Sequence, residues 1–318
     1  MKVVLATDHS DPEFVNELRT EFENIEFVTS NNREEEKNNI KDADIYCGIP
    51  TREVFLSAKK LQWIQCIGTG VDAIMSIPEV LDSDVVLTNC RGPHAAPMAD
   101  HTMGMVTTLA HKLNEMWDDQ QNRVWDTSKY TDSQINLTGA TMGILALGDI
   151  GNAVASRAHG FGMDVYAVDK HPRPAPPAVK EIWGLEKLDQ LIEISDWFVI
   201  TAPLTNETRG LIDRRRVELL KPGAFVIAIS RGNIIDEEAL IDGLMTGKIA
   251  GAGLDVTAIE PLPQSSPLWE MKNVVLSPHA SAMTASLIHE RRAIFKSNLR
   301  HLIANEPFVY TVDKESGF

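Results

Sequence analysis

Short apolar runs and helix-spaced apolar positions alternate along almost the whole chain. In the first part, to about Cys90, residues 3–6, 25–28, 44–47, 63–67 and 85–88 read as strands. Asp11-Pro12-Glu13 marks a helix start, with Asp as N-cap and Pro at the first helical position. Phe14, Leu18 and Phe22 then fall on one face at four-residue spacing. The charge run Glu34, Glu35, Glu36 is expected to be a solvated helix face.

From Pro97 to about Gln121 a long helical pattern follows, rich in Met, Thr, Leu and Ala. A second alternation then places strands at 141–147, 164–168, 197–201, 224–229, 251–256 and 273–276. Strands of this kind joined by helical crossovers predict a parallel, doubly wound sheet covered on both faces. A last helix is expected over 283–304, then a tail through Val312 to Phe318. Prolines 172, 174, 176 and 177 stiffen one loop.

Composition narrows the class. With 318 residues the chain is long enough for two domains, and 43% hydrophobic with 24% charged residues is the make-up of a soluble globular protein. No apolar run approaches the roughly 18 residues of a membrane span. The N-terminus reads as a first strand rather than a signal peptide. A net charge of -15 argues against a nucleic-acid partner, because a phosphate backbone wants a basic footprint. Cys47, Cys66 and Cys90 are odd in number and embedded in apolar stretches, so buried thiols in a reducing cytoplasm are expected.

The segment Thr141 to Gly151 is an apolar strand running into a turn and a helix. It resembles the GxGxxG dinucleotide fingerprint with Ala146 in place of the first glycine. Gly148 would let the backbone approach a pyrophosphate, and Gly151 would let helix pack closely on strand. The anion would sit on the helix N-terminus, against the N–H groups of Asp149, Ile150 and Gly151. A Cβ at Ala146 is expected to shift the tight turn. Asp169 ends the next strand, where a carboxylate accepts ribose hydroxyls and repels a 2′-phosphate, which favours NAD. Lys170, His171 and Arg173 follow at once and keep NADP open.

Further motifs carry a family resemblance over nearly the whole chain. They are Ile67-Gly68-Thr69-Gly70-Val71-Asp72, Asn89-Cys90-Arg91-Gly92, Met98-Ala99-Asp100-His101, and Ala202-Pro203-Leu204-Thr205 with Thr208. After these come Arg231 in Ser230-Arg231-Gly232, Glu260 in Glu-Pro-Leu-Pro, and His279 in Ser-Pro-His. Together they resemble the D-2-hydroxyacid dehydrogenases of the glyoxylate and hydroxypyruvate reductase kind. At Asp100 the family usually shows Glu, one methylene longer.

The resemblance implies an enzyme that reduces a small 2-keto acid to the D-2-hydroxy acid with NAD(P)H. Arg231 would bind the substrate carboxylate as a bidentate fork and polarise the carbonyl, beside the backbone amides of Thr69 and Gly70. His279 would protonate the developing alkoxide. Glu260 would bond the other ring nitrogen, fixing the tautomer and favouring the protonated ring. Asp255 with the Ile229-Ser230 backbone would hold the nicotinamide carboxamide, and Ala202, Pro203 and Thr208 belong to a loop at the cofactor.

The implied architecture is two α/β domains, Rossmann-like and flavodoxin-like, with doubly wound parallel sheets. A cofactor domain (99–286) would be inserted into a substrate domain (1–98 and 287–318), with the active site in the cleft between them. No further regulatory domain is expected, which speaks against the longer phosphoglycerate dehydrogenases but not against short ones. A cytoplasmic homodimer is expected, with Trp117 and Trp125 at the dimer interface or in the core.

Other readings stay open. His94, Asp100 and His101 are tempting as a metal cluster, but with Arg231 as electrophile no metal is expected. Arg52 and Arg91 would face either an acidic or hydroxylated substrate or solvent ion pairs. A dinucleotide-sensing interaction protein of the same fold is the alternative to an enzyme; intact Arg231, Glu260 and His279 argue against it, because a sensor needs no proton donor.

Overall fold

The computed structural model describes residues 1–6 and 9–317; Phe318, at the end of the expected tail, lies outside them. The chain divides into two compact units, Met1–Pro93 with Thr284–Phe318, and His94–Met283.

The first unit alternates strand and helix: β1 (Lys2–Ala6), α1 (Pro12–Glu21), β2 (Glu26–Ser30), α2 (Arg33–Asn39), β3 (Ile45–Cys47), α3 (Arg52–Ser57), β4 (Trp63–Gln65), α4 (Asp72–Met75), α5 (Pro78–Leu81) and β5 (Val86–Thr88). Its five strands are parallel in the order β2-β1-β3-β4-β5, so the chain winds outward in both directions from β1. The start of α1 follows from its cap: the Asp11 carboxylate accepts from Phe14 N, and Pro12 stands where no N–H is needed. Phe14, Val15 and Leu18 are then buried.

One expectation about this unit is overturned. Glu34 and Glu35 are exposed, but Glu36 is 1% exposed. It accepts from Tyr46 Oη at 2.9 Å and pairs with Arg33 at 2.7 Å. A buried carboxylate needs such partners, and here they come from the next strand and the preceding turn.

The second unit contains α6 (Ala95–Ala110), α7 (Leu113–Gln121), β6 (Thr141–Leu145), α8 (Asp149–Gly160), β7 (Asp164–Val168), β8 (Glu181–Trp183), α9 (Leu188–Ile194), β9 (Trp197–Ile200), α10 (Arg214–Leu219), β10 (Ala224–Ala228), α11 (Glu237–Met245), β11 (Ile249–Leu254) and β12 (Val274–Leu276). The chain then returns to the first unit as α12 (Leu287–Ala304). The sheet is seven-stranded and parallel, in the order β12-β11-β10-β9-β6-β7-β8. Its strand order reverses between β6 and β9, and the strand ends beside such a switch point are where open α/β sheets bind ligands.

Two layers of core cover this sheet. Phe198 and Ile200 pack on one face, Trp197 and Val199 on the other. Burial on both faces is why these strands read as unbroken apolar runs. The expected strands are all present, some shifted or shortened by one or two residues, and β8 is additional. Only three residues long, it pairs with β7 at the sheet edge and shows no alternation to find.

The long helix expected after Pro97 is two helices. Lys112 takes a left-handed conformation (φ 57°), which no helix interior accommodates. Ile135 N returns to bond the carbonyl of Ala110, the last residue of α6, at 2.8 Å. The last helix likewise begins at Leu287 rather than Met283. Cys47, Cys66 and Cys90 are buried and not disulfide-bonded. Among the described residues no helix is long and apolar enough to cross a membrane.

Candidate active site

The loops after β11 and β12 bring an imidazole and a carboxylate together. His279 Nδ1 lies 2.7 Å from Glu260 Oε2. Thr257 N donates to the other carboxylate oxygen at 3.1 Å, so both oxygens of Glu260 are fixed. With the carboxylate accepting at Nδ1, the proton on that nitrogen is assigned, and Nε2 is left for chemistry. Both side chains are part-exposed, 44% for His279 and 37% for Glu260, so a substrate in solution can reach them. His279 has φ 53°, a left-handed backbone that is uncommon for a residue with a Cβ.

Arg231 follows β10 in an extended conformation, and its Nη1 donates to Ser230 O at 2.7 Å. Its loop lies against the one that carries Glu260. A Cβ at Gly232 would stand 2.1 Å from Thr257 C and 2.2 Å from Thr257 O, an approach only glycine permits. Asn233 Nδ2 donates to Ala258 O at 3.2 Å, and Glu237 Oε2 accepts from Ala258 N at 2.8 Å. Three side-chain and backbone contacts therefore fasten the Arg231 loop to the start of the Glu260 loop.

Ala146 takes φ 73°, the left-handed backbone that a glycine adopts without strain, so the strain of a Cβ in that region falls on this residue. Gly151 is required, since a Cβ there would meet Ala146 O at 2.4 Å. Gly148 is the N-cap of α8 with no side-chain cap, and a Cβ on it would meet nothing within 4 Å. The first turn of α8, which includes Asp149 and Ile150, thus starts without a capping side chain, as an anion site demands. Asp169 is held at the end of β7 by Leu147 N (2.7 Å) and His171 N (2.9 Å), one on each oxygen, leaving a lone pair on each for a ribose hydroxyl. These features fit a dinucleotide. Arg173 is engaged by the carbonyl of Leu147, and Lys170 by Glu207 at 2.7 Å, so two of the three nearby cationic or ring side chains already have acceptors.

Asp255 is 1% exposed and accepts from Ser277 Oγ and Ala280 N on one oxygen and from Ser281 N on the other. Burial pushes its carboxyl up, but these hydrogen bonds outweigh burial and hold it below the usual carboxylate range. Ser230 Oγ donates to Ile200 O at 3.3 Å, and Ile229 is buried. Ala202 is buried too, while Thr208 Oγ1 donates to Pro203 O and accepts from Thr205 N, tying its loop to itself. In the first unit, the loop of Thr69 and Gly70 is pinned through carbonyls: Asn89 Nδ2 donates to Thr69 O, and Cys90 N to Gly68 O.

Several tempting residues are otherwise employed. Asp100 pairs with Arg157 at 2.5 Å, and His101 Nε2 with Ser277 Oγ at 2.9 Å, so they turn to different partners. Arg52 forms an exposed two-pronged pair with Glu79. Arg91 lies over the Tyr310 ring, 5.7 Å from its centroid. Trp117 and Trp125 belong to no core, being 63% and 97% exposed. The Ser277–His101 contact was not foreseen; its only sequence signal is a histidine on a helix face that is otherwise apolar.

Comparison with known proteins places the chain in a family. Residues 103–281 match the family model for the NAD binding domain of D-isomer specific 2-hydroxyacid dehydrogenases. The chain is 34% identical to the glyoxylate reductase of Thermofilum pendens, over 86% of this chain and 81% of that protein. It is 31% identical to the D-3-phosphoglycerate dehydrogenase of Methanocaldococcus jannaschii, over 96% of this chain and 58% of that protein. The chain spans about half the length of the phosphoglycerate dehydrogenases it matches. Among solved structures, a D-isomer specific 2-hydroxyacid dehydrogenase of Xanthobacter autotrophicus, in complex with NADPH and MES, superposes with a TM-score of 0.83 at 27% identity, covering 99% of each chain. With the matched domain, the 34% identical relative and the shared fold in agreement, the chain belongs to the D-isomer specific 2-hydroxyacid dehydrogenase family.

Proposed function

We propose that the protein reduces a small 2-keto acid to the D-2-hydroxy acid, and oxidises the product in reverse, with NAD as its cofactor. The observation that carries this reading is the His279–Glu260 pair, a tautomer-fixed proton donor beside the loop of Arg231. The nicotinamide, when bound, supplies or accepts the hydride at the substrate's C2. His279 Nε2–H gives its proton to the carbonyl oxygen as that oxygen gains charge, so carbonyl plus hydride plus proton becomes the alcohol. Glu260 stabilises the ring while it is protonated and keeps it aimed. Arg231 takes the carboxylate and polarises the carbonyl, as a fixed cation does where negative charge develops.

In this reading the pyrophosphate rests on the N-terminus of α8 at Gly148, Asp149, Ile150 and Gly151, and Asp169 takes the adenosine ribose. The Ile229-Ser230 backbone and the remaining lone pair on Asp255 take the carboxamide, and Ala202, Pro203 and Thr208 wall the cofactor loop. The partners already held by Lys170 and Arg173 favour NAD, while the NADPH bound to the Xanthobacter protein shows what a member of the family accepts. We assign the enzyme to the cytoplasm, where thiols such as Cys47, Cys66 and Cys90 stay reduced, and to a homodimer, which the exposed Trp117 and Trp125 favour.

The test is NADH oxidation with glyoxylate, hydroxypyruvate, pyruvate and bulkier 2-keto acids, with the product's configuration determined. His279→Ala should lose roughly 10²–10⁴ in turnover while still binding NADH. Tight NADH binding without turnover of any 2-keto acid would favour a dinucleotide sensor instead.

A further inference from the structure

We infer that His101 and Ser277 are positioning residues for His279, acting through Asp255. The inference rests on the reading of His279 as proton donor. A histidine held at φ 53° needs something to hold it there, since a Cβ disfavours that region. The holding is done from both sides. His279 N bonds Asp255 O at 2.8 Å and Ser277 O at 3.1 Å. The two following amides, Ala280 N and Ser281 N, bond the Asp255 carboxylate at 2.8 and 3.0 Å. Ser277 Oγ, two residues before His279, bonds the same carboxylate at 2.5 Å.

The direction of the chain follows from donor counting. A serine hydroxyl has one proton, and a carboxylate can only accept, so Ser277 donates to Asp255. The contact of Ser277 Oγ with His101 Nε2, at 2.9 Å, must then be donated by the imidazole. The order is His101 N–H to Ser277 O–H to Asp255 carboxylate, ending on the amides that follow His279. His101 stands on α6, a 16-residue helix packed against β11 and β12, the strands that lead into these loops. Helix and turn are thereby joined through His101 and Ser277, whose side chains need touch neither substrate nor cofactor.

Glu260 fixes the rotation of the imidazole, and the Asp255 cradle fixes where its Cα stands. Without the donated bonds from Ser277 and His101, one carboxylate oxygen keeps a single amide and the carboxylate can turn. The left-handed turn loosens with it, and Nε2 drifts from the line of proton transfer. Such a drift weakens the chemical step more than binding, because the ground state makes little use of that line.

The experiment uses the full chain with whichever of glyoxylate, hydroxypyruvate and pyruvate the wild type turns over fastest. Ser277→Ala and His101→Leu should lower kcat about tenfold, with the keto-acid KM within about twofold of wild type. Ser277→Thr and His101→Gln, which keep a donor in each place, should recover most of that loss. If His101→Leu fails to fold, Ser277→Ala carries the test, since it deletes only one part-buried hydroxyl. An unchanged kcat in Ser277→Ala, or a loss carried by the keto-acid KM instead of kcat, overturns the inference. His279→Ala run alongside separates the two failures. An active His279→Ala sinks the proton-donor reading itself, whereas an inactive His279→Ala beside a fully active Ser277→Ala sinks the positioning role alone.

Discussion

Gly232 lies directly against the peptide of Thr257: a Cβ on it would stand 2.1 Å from Thr257 C, 2.2 Å from Thr257 O and 2.6 Å from Ala258 N. All three are backbone atoms, so no rotamer change relieves the contact. Gly232→Ala must therefore push apart the loops bearing Arg231 and Glu260. We expect a loss of about 1–3 kcal/mol in urea unfolding, the range for overpacking, together with a fall in kcat/KM. A variant as stable and active as wild type would show that the two loops move independently.

Asp169 governs the choice of cofactor in the proposed reading. Asp169→Ala removes a ribose acceptor and a charge that repels a 2′-phosphate, and it also releases Leu147 N and His171 N. The ratio of kcat/KM for NADPH over NADH should rise. A wild-type preference for NADPH would mean that Lys170, His171 and Arg173 outweigh the carboxylate.

Ala146 offers a gain instead of a loss. Its φ of 73° costs a residue with a Cβ roughly 1–2 kcal/mol that glycine does not bear. Part of this is returned, because glycine is also freer in the unfolded chain. Ala146→Gly should raise the unfolding midpoint modestly and leave NADH binding equal or tighter. A lower midpoint would mean that Ala146 gains more from packing than it loses in strain.

His9 sets an acid limit on stability in the first unit. It is 1% exposed, stacked on Phe295, and neither ring nitrogen has a hydrogen-bond partner among the described residues. Burial, with help from Arg292 and Arg291, lowers its pKa from 6.5 to about 4. The folded state keeps the ring neutral while the unfolded state protonates it. The neutral ring's contribution is complete above pH 6.5, and it is lost as pH falls from 6.5 to about 4. The loss is worth about 3 kcal/mol at its end. His9→Phe should flatten that part of the stability curve, read from urea midpoints at intervals across it. A variant with the wild-type acid slope would assign the sensitivity to other groups.

The sequence made the strand-and-crossover plan legible because β9 and β10 are unbroken apolar runs and α1 carries its own cap. Glu260 and His279 could be singled out because the Glu-Pro-Leu-Pro and Ser-Pro-His segments resemble motifs of the D-2-hydroxyacid dehydrogenases. What escaped depends on distant partners. Glu36 looks like its neighbours Glu34 and Glu35 until β3 brings Tyr46 over it. The break between α6 and α7 falls at Lys112, a residue with no turn signature, because the chain returns at Ile135 to take the Ala110 carbonyl. Ser277 and His101 are 176 positions apart, so no local pattern could join them.

All the strands of the second unit run the same way, and Ala146–Gly151, Asp169, Ala202, Arg231, Asp255–Glu260 and Ser277–His279 each follow the end of a different one. Heritable change can therefore act on the two halves of this design separately. Substitutions within the ladders should chiefly alter how much folded protein a cell accumulates, whereas, in the proposed reading, those just beyond the strand ends should alter which acid is turned over and how fast. A lineage on this scaffold can explore new substrates while its yield stays almost constant, provided that the few points of contact between neighbouring loops, such as Gly232 on Thr257, are left alone.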